Sequence, residues 1–330
     1  MNNQKKAVEI VDCTLRDGGH ALENSFSVNA AAEIVEALLG AGIPVIELGR
    51  PSGLGSPKGS VSDEDYLIAV QPFMERGELG MFCLPDCFGT EQIELLRTYR
   101  LGFLRVGTGA GTVEPSEAVI GKIRDLGIKV RYSLVQAHTV APGQLAENAR
   151  KVAGYGAQSI TIMDSTGTMV PAQVKQYVTS LTAAVDVPIG FHGHNNLGLS
   201  VANAMAAIEA GASSVDGALG GLARSAGNAP TEMLCAVMEK LGIQTGVDFF
   251  GLLGFIDSRM AELAPDVYHV PPVDIIFGYA GFHSRNLGLA RAVAETEGVD
   301  LYRLITEVMR YGQANPQRTL FERAAAALKV

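Results

Sequence analysis

The chain opens its first structural unit with Thr14-Leu15-Arg16-Asp17-Gly18-Gly19-His20, which follows an apolar run from Val8 to Cys13. The apolar run predicts a first β-strand. An arginine, a carboxylate and a histidine therefore stand together in the turn where that strand ends. Such a turn can offer a cation, a metal ligand and a proton-transfer group, so we expect it to carry part of an active site.

The same pattern of apolar run, turn and helix repeats along most of the chain. The expected strands are 8–14, 43–48, 80–84, 103–107, 128–135, 158–163, 188–192 and 213–218. The expected helices are 28–39, 64–75, 91–98, 115–126, 143–154, 172–185, 198–210 and 231–241. This alternation is typical of parallel βαβ units, and eight of them predict a (β/α)8 TIM barrel of the α/β class. The competing open, doubly wound sheet more often has about five or six strands.

The rhythm changes after about residue 243, where the strand pattern stops. The remaining sequence predicts only helices, over 246–263, 279–296, 301–310 and 318–328. We therefore expect a catalytic barrel over residues 1–243 and a C-terminal helical appendage over residues 244–330.

The composition excludes several classes of function. Charged residues make up 18%, apolar residues 47%, and the formal net charge is −9. No dense Lys/Arg cluster predicts a nucleic-acid partner, and no apolar run is long enough to span a membrane. The four cysteines lack the spacing of a zinc site. With a polar N-terminus that does not resemble a signal peptide, these features predict a cytoplasmic protein with reduced thiols.

A second motif, Phe191-His192-Gly193-His194-Asn195-Asn196, ends the seventh expected strand. Histidines at i and i+2 on a strand point to the same face. In a closed barrel of eight, strands one and seven are only two apart, so Asp17, His192 and His194 can converge. One carboxylate with two imidazoles suits Mn²⁺, Mg²⁺, Co²⁺ or Fe²⁺ better than a sulfur-rich zinc site.

Other polar residues also fall where expected strands end, which is the functional face of such a barrel. They include Glu47, Arg50, Arg105 and Asn228, which we expect to contact substrate. Arg16 is a candidate for a functional cation, because burying an arginine at a barrel mouth is costly. His20, three residues from a metal ligand, is a candidate acid or base.

These motifs resemble those of the DRE-TIM metallolyase (HMGL-like) superfamily, which has Thr-Leu-Arg-Asp-Gly near the N-terminus and His-x-His-Asn late in the barrel. Within it, the chain is most similar to the 4-hydroxy-2-oxovalerate aldolases. The features that carry this similarity are His20-Ala21, Ile46-Glu47 with Gly53-Leu54-Gly55, Gly227-Asn228-Ala229-Pro230 and Gly278-Tyr279-Ala280-Gly281.

The resemblance implies a class II pyruvate aldolase that cleaves a 4-hydroxy-2-oxo acid into pyruvate and an aldehyde through a pyruvate enolate. It implies a divalent metal, usually Mn²⁺, with Mg²⁺ or Co²⁺ as alternatives. Arg16 would stabilise the enolate oxygen, and His20 would take the proton from the 4-hydroxyl group. Tyr279 would line the pocket and select the stereochemistry at C4, while Asn228 and Glu47 would support the site.

The chain departs from those aldolases around the aldehyde half of the pocket. Gly18-Gly19-His20-Ala21 replaces their usual Gly-Ser-His-Ala, and Arg50-Pro51-Ser52 stands where they usually have His-Gly-Asp. The pyruvate half is unchanged. We therefore expect an altered acceptor, and Arg50 is a candidate for recognising an anionic or polar one.

Two other functions compete with the aldolase. A Claisen-type condensing synthase that uses acetyl-CoA would share the metal site and the Gly227-Asn228-Ala229 run. Those synthases usually carry Glu-Arg shortly before that run, whereas this chain has Ala223-Arg224-Ser225-Ala226 and a short tail. A non-enzymatic binding barrel is the third interpretation, which a complete set of Arg, Asp and His residues disfavours. The resemblance also implies an acylating aldehyde dehydrogenase partner, and the apolar tail suggests a homodimer.

Overall fold

Eight parallel strands close into a barrel in the computed structural model, which describes residues 7–22, 25–57, 59–265, 272–282, 284–313 and 316–329. The strands are β1 (Glu9–Asp12), β2 (Val45–Leu48), β3 (Glu78–Cys83), β4 (Phe103–Gly109), β5 (Lys129–Val135), β6 (Ser159–Asp164), β7 (Ile189–Gly193) and β8 (Ser214–Gly217). They follow chain order around the barrel, and β8 pairs in parallel with β1. The predicted TIM barrel is confirmed.

A helix follows each strand and covers the outside of the barrel. These helices are α1 (Val28–Gly40), α2 (Asp63–Val70), α3 (Thr90–Thr98), α4 (Glu117–Asp125), α5 (Pro142–Tyr155), α6 (Pro171–Thr182), α7 (Ser200–Glu209) and α8 (Thr231–Lys240). Local sequence explains where several of them begin. The Ser27 and Ser62 hydroxyls accept backbone N–H groups at the starts of α1 and α2. Pro142 and Pro171 begin α5 and α6, where a missing N–H costs nothing.

The C-terminal region is helical, as expected. Its elements are α9 (Phe249–Phe255), a π-helical turn (Ile256–Met260), α10 (Ala261–Leu263), α11 (Pro272–Ala280), α12 (Leu287–Glu297), α13 (Leu301–Arg310) and α14 (Arg318–Ala327). The expected continuous helix over 279–296 is wrong. Gly281, with a φ of 74°, follows the end of α11, so α11 and α12 are separate helices.

The appendage packs directly on the barrel. The helix α11 contacts α8, and α9 contacts α1 and α8. Buried apolar side chains of α9, α13 and α14 belong to the same continuous cluster as those of the barrel helices. Among the described residues, no helix combines the length and the apolar character that crossing a membrane requires.

The barrel interior is filled in layers, and this leaves the carboxyl ends of the strands for polar groups. Val11, Val45 and Phe103 form a small central cluster. Gly80 makes room for it, since a Cβ there would lie 2.4 Å from the Phe103 ring. At the amino end, Arg131 pairs with Glu9 and Glu78 and closes the barrel with charge.

Candidate active site

The structure brings Asp17, His192 and His194 together at the carboxyl end of the barrel. Asp17 Oδ2 lies 3.7 Å from His192 Nε2 and 3.5 Å from His194 Nε2. The three ligand atoms lie within 4.8 Å of one another, and all three residues are buried. Two ligands at about 2.1 Å from a metal lie about 3.0 to 3.5 Å apart, so a small inward movement completes a shell. The cluster is a candidate site for a divalent metal.

The protonation states also suit a metal. Burial by itself would raise the pKa of Asp17, but Arg16 and the two histidines hold that pKa well below its usual range. Burial, with His192 nearby, lowers the pKa of His194 to about 3. The cluster thus presents an ionised carboxylate to a neutral imidazole. The Asp17 carboxylate and the His194 imidazole thus direct lone pairs at each other, and a cation between them would bind both.

A network of charged residues supports the cluster from below. His192 Nδ1 lies 3.1 Å from Asp216 Oδ2, and the Arg105 guanidinium pairs with the same carboxylate. Arg105 Nε also lies 3.0 Å from Glu47 Oε2. Arg105 is about 1% exposed, and these buried carboxylates face it on two sides. The structure turns the Arg105 guanidinium towards Asp216 and Glu47, so contact between Arg105 and substrate stays a prediction that these ion pairs do not support.

Arg16 is the buried arginine that faces the cluster. Its Nε donates to Glu47 Oε1, its Nη1 donates to Asp17 Oδ1 at 2.7 Å, and its guanidinium stacks on Phe82 at 4.8 Å. Gly107 makes that stack feasible, since a Cβ there would lie 2.2 Å from the Phe82 ring. Arg16 Nη2 is buried and has no hydrogen-bond partner among the residues that the structure describes. A buried cationic donor without an acceptor is costly, and a substrate oxygen would satisfy it.

His20 lies beside this cluster in a short 3-10 helix, Gly18–Ala21. Burial lowers the pKa of His20, while Asp17 and a hydrogen bond to the Pro51 carbonyl act in the opposite sense. The Pro51 ring also packs against Gly19, where a Cβ would lie 3.1 Å from Pro51 Cγ. The two sequence departures, Gly19 and Pro51, are therefore in contact and together set the position of His20.

Asn228 joins the site from the loop after β8. Its Nδ2 donates to Asp17 Oδ2 at 2.9 Å, and its backbone forms an antiparallel bridge with His194. Within the described part of the chain, its buried Oδ1 has no hydrogen-bond partner. Asn228 thus holds the Asp17 carboxylate in place through Nδ2, and its own Oδ1 can accept a hydrogen bond from a ligand.

Two expected substrate contacts lie elsewhere. Arg50 Nε donates to the Val61 carbonyl at 2.9 Å and Nη1 donates to the Ser56 carbonyl, so this guanidinium stabilises its own loop. Tyr279 donates from its hydroxyl to Glu239 at 2.6 Å, in the last turn of α8. Since α8 runs back along the barrel from the end of β8, that turn lies away from the metal-facing residues. These contacts do not support the substrate roles expected of Tyr279 and Arg50, which stay predictions from the sequence.

Two further residues lie near the cluster: Asp216, which the sequence offers as the alternative to Asn228 at the end of the eighth strand, and Arg224, which has no role in the sequence-based prediction. Asp216 is on β8, and its contact with His192 follows from the adjacency of β7 and β8. Arg224 is in the loop after β8, and its Nη1 lies 3.6 Å from Asp17 Oδ1. Side chains alternate between the two faces of a strand, and the place of Asp216 in β8 could have indicated that its side chain points into the barrel. Nothing in the local sequence indicates where Arg224 points.

Comparisons with known proteins identify the family of the chain. The HMGL-like family model matches residues 7–87 and 108–256. The 4-hydroxy-2-oxovalerate aldolase of Carboxydothermus hydrogenoformans is 37% identical over 92% of both chains. That of Chloroflexus aggregans is 36% identical over 92% of this chain and 90% of its own.

A solved structure, hydroxymethylglutaryl-CoA lyase from Pseudomonas aeruginosa, has a TM-score of 0.72 at 19% identity and covers 84% of this chain and all of that one. At that identity the likeness shows the shared fold. The family match spans the turn that carries Asp17 and the strand end that carries His192 and His194. With this match over most of the barrel, the chain belongs to the HMGL-like family.

Proposed function

We propose that the protein is a divalent-metal-dependent aldolase that reversibly cleaves a 4-hydroxy-2-oxo acid into pyruvate and an aldehyde. The observation that carries this proposal is the unpaired Nη2 of buried Arg16 beside the Asp17, His192 and His194 cluster. A metal and a cationic donor side by side suit an oxygen that gains negative charge during a reaction. The 33–37% identity to proteins named 4-hydroxy-2-oxovalerate aldolase supports the same reaction.

His20 and Arg16 have different roles in the proposed cleavage of the C3–C4 bond. We propose Mn²⁺ as the metal, which when bound would act as a Lewis acid on the 2-oxo group. His20 takes the proton of the 4-hydroxyl group, and that oxygen forms the aldehyde C=O as the C3–C4 bond breaks. The electron pair of the broken bond forms the C2=C3 double bond, and the C=O pair moves onto the 2-oxo oxygen. Arg16 donates its free N–H to that oxygen. C3 of this enolate then takes up a proton from solvent to give pyruvate, and His20 releases its proton to solvent. In the aldol direction His20 returns the proton.

A Claisen-type synthase is not favoured. The named relatives that match over most of the chain are aldolases. The loop after β8 also lacks the Glu-Arg pair that those synthases usually carry, and its place holds Ala223-Arg224-Ser225-Ala226. We therefore expect no release of free CoA from acetyl-CoA.

The test separates metal binding from chemistry. Pyruvate release from 4-hydroxy-2-oxopentanoate is measured after loading with Mn²⁺, and Mn²⁺ affinity is measured by calorimetry. Arg16→Lys keeps the positive charge but loses the planar guanidinium with its several N–H donors. It should therefore lower kcat by about 10²-fold or more, while Mn²⁺ affinity changes little. A wild-type protein that releases no pyruvate, or that instead releases CoA thiol from acetyl-CoA, contradicts the proposal.

We further propose that the enzyme works in the cytoplasm as a homodimer, together with an acylating aldehyde dehydrogenase. The support is its similarity to the aldolases, with the helices α9–α14 as the expected contact surface. Light scattering of the purified protein would test the dimer. Copurification with a coexpressed acylating dehydrogenase would test the partner, and a monomer that never copurifies would contradict both.

A further inference from the structure

We infer that Arg224 forms an anion-binding subsite at the mouth of the barrel, so that the preferred aldehyde carries a carboxylate or a phosphate. This inference rests on the proposed aldolase function. It deepens that function by assigning a chemical class to the acceptor.

The position of Arg224 is the first observation. It lies in the loop between β8 and α8, where Gly220 and Ser225 both adopt positive φ and bend the loop over the site. Its Nη1 lies 3.6 Å from Asp17 Oδ1, and its Nη2 donates to the Ser165 carbonyl at 3.4 Å. Arg224 thus bridges the ends of β8 and β6 directly above the metal-facing carboxylate.

The state of its donors is the second observation. A guanidinium offers five N–H donors, and the contacts of Arg224 within the described part of the chain are the two long ones just given. Its side chain is 46% exposed, whereas that of Arg16 is 6% exposed. Arg16 and Arg105, by contrast, are held by short contacts to buried carboxylates. Arg224 therefore offers donors to a ligand on the solvent side of the mouth, whereas the free Nη2 of Arg16 is buried.

The charge balance of the site is the third observation. Ion pairs join five buried charged side chains at the cluster, which are Asp17, Glu47, Asp216, Arg16 and Arg105. They carry one surplus negative charge, and a divalent metal with neutral histidine ligands converts this to one positive charge. The carboxylate of a 2-oxo acid neutralises that charge. A neutral aldehyde then leaves the positive charge of the Arg224 guanidinium uncompensated, whereas an anionic aldehyde compensates it.

The order of the two arginines indicates which end of the substrate each meets. Arg16 is deep in the barrel, and its free Nη2 faces the place where the 2-oxo oxygen gains charge. Arg224 lies at the solvent side of the same cluster. A substrate whose 2-oxo head is held inside must extend its distal end outward past Arg224. A planar guanidinium recognises a carboxylate or a phosphate there with two parallel hydrogen bonds.

The experiment uses two ligands of equal chain length that cannot be cleaved because they lack the 4-hydroxyl group. These are 2-oxopentanoate, with a distal methyl group, and 2-oxoglutarate, with a distal carboxylate. Their affinities are measured by calorimetry on the Mn²⁺-loaded wild type, Arg224→Gln and Arg224→Lys. The wild type should bind 2-oxoglutarate about 10- to 100-fold more tightly, since a charge-assisted hydrogen bond supplies that preference. Arg224→Gln should abolish the preference, and Arg224→Lys should keep part of it.

A matched control removes the same charge far from the mouth. Arg97 is exposed in the last turn of α3, and Arg97→Gln should leave the preference unchanged. A turnover arm with propanal, succinic semialdehyde and glycolaldehyde phosphate as acceptors for pyruvate then distinguishes a carboxylate from a phosphate. In the wild type, one anionic acceptor should have a higher kcat/KM than propanal. In Arg224→Gln, its kcat/KM should fall to about that of propanal.

Two results would overturn the inference. One is a wild type that binds both ligands equally. The other is an Arg224→Gln variant that loses affinity for both ligands to the same extent, which would place Arg224 at the 2-oxo head. Pyruvate release from any 4-hydroxy-2-oxo acid would retain the aldolase function in either case, so the two failures are distinguishable.

Discussion

His192 donates a hydrogen bond from Nδ1 to Oδ2 of Asp216 over 3.1 Å, and this contact fixes the tautomer of the metal-facing ring. Burial would raise the pKa of Asp216, but Arg105 and His192 lower it to about 2, so the carboxylate only accepts hydrogen bonds. The proton of the neutral ring must then sit on Nδ1. The lone pair of Nε2 points to Asp17 and is free to bind a metal.

Replacing Asp216 should therefore weaken metal binding without removing a ligand. In Asp216→Asn the new amide can donate to Nδ1, which favours the tautomer with its proton on Nε2. We expect a loss of about 10- to 100-fold in Mn²⁺ affinity, measured by calorimetry at neutral pH. The carboxylate of Asp164, buried at the end of β6, accepts the backbone N–H groups of Thr168 and Met169. In the described part of the chain, the carboxylates that face the rings of His192 and His194 are instead those of Asp17 and Asp216. Asp164→Asn is the matched control and should change Mn²⁺ affinity little.

Removing Arg105 should destabilise the fold. Arg105→Met would leave Glu47 and Asp216 buried without the cation that separates them. Breaking such a buried pair costs about 3 to 5 kcal/mol in the free energy of unfolding. Urea denaturation of the metal-free protein measures it. The exposed Arg97→Met should cost less than about 1 kcal/mol, and an equal cost for both variants would contradict the role given to Arg105.

Gly19 and Pro51 should behave as a coupled pair. In Gly19→Ala the new Cβ would lie 3.1 Å from Pro51 Cγ, so the proline or the turn that carries His20 must move. Displacement of a proton-transfer group by a fraction of an ångström should lower kcat/KM by about 10-fold. Adding Pro51→Gly should restore much of the loss, because it removes the contact. A double variant as slow as Gly19→Ala would contradict this coupling.

The regular parts of this molecule were predictable because their signals are local. Apolar runs separated by capped helices predicted all eight strands, and strand ends predicted where Asp17, His192 and His194 meet. The break between α11 and α12 escaped prediction. Its signal is a single glycine, Gly281, in a stretch that otherwise has helical periodicity.

Side-chain direction explains the other differences. Arg50 follows β2 and Arg105 lies within β4, and sequence position made both of them candidates for substrate contact. The Arg50 guanidinium turns to the Val61 carbonyl in its own loop, and the Arg105 guanidinium turns to Asp216, which is distant in sequence. Arg224 lies in an irregular loop, where no periodicity indicates its direction. Choosing among arginines at one barrel mouth therefore requires knowledge of which carboxylates and carbonyls each one meets.

The buried carboxyl of Glu232 gives the stability of the protein an unusual pH dependence. Glu232 lies in the first turn of α8, and its Oε2 accepts the backbone N–H of Gly220 in the loop that carries Arg224. Burial raises the pKa of Glu232 from its ordinary value of 4.5 to about 7, although the hydrogen bond from Gly220 acts in the opposite sense. Between these two pH values, the folded state holds a proton that the unfolded state has released. The contribution of Glu232 to stability is therefore lost as the pH rises through this window.

A neutral isostere should remove that dependence. Glu232→Gln keeps an oxygen that can accept from Gly220 and does not ionise. We compare the free energy of unfolding of Glu232→Gln with that of the wild type at each pH. The difference should favour the variant by about 2 kcal/mol more at pH 8 than at pH 5. Urea denaturation of the metal-free protein at both pH values measures the difference. Glu239, exposed in the last turn of the same helix, provides the matched control Glu239→Gln, which should show no such gain. Equal effects of Glu232→Gln at the two pH values would mean that this carboxyl is ionised throughout, and the loop would then be held over a buried charge.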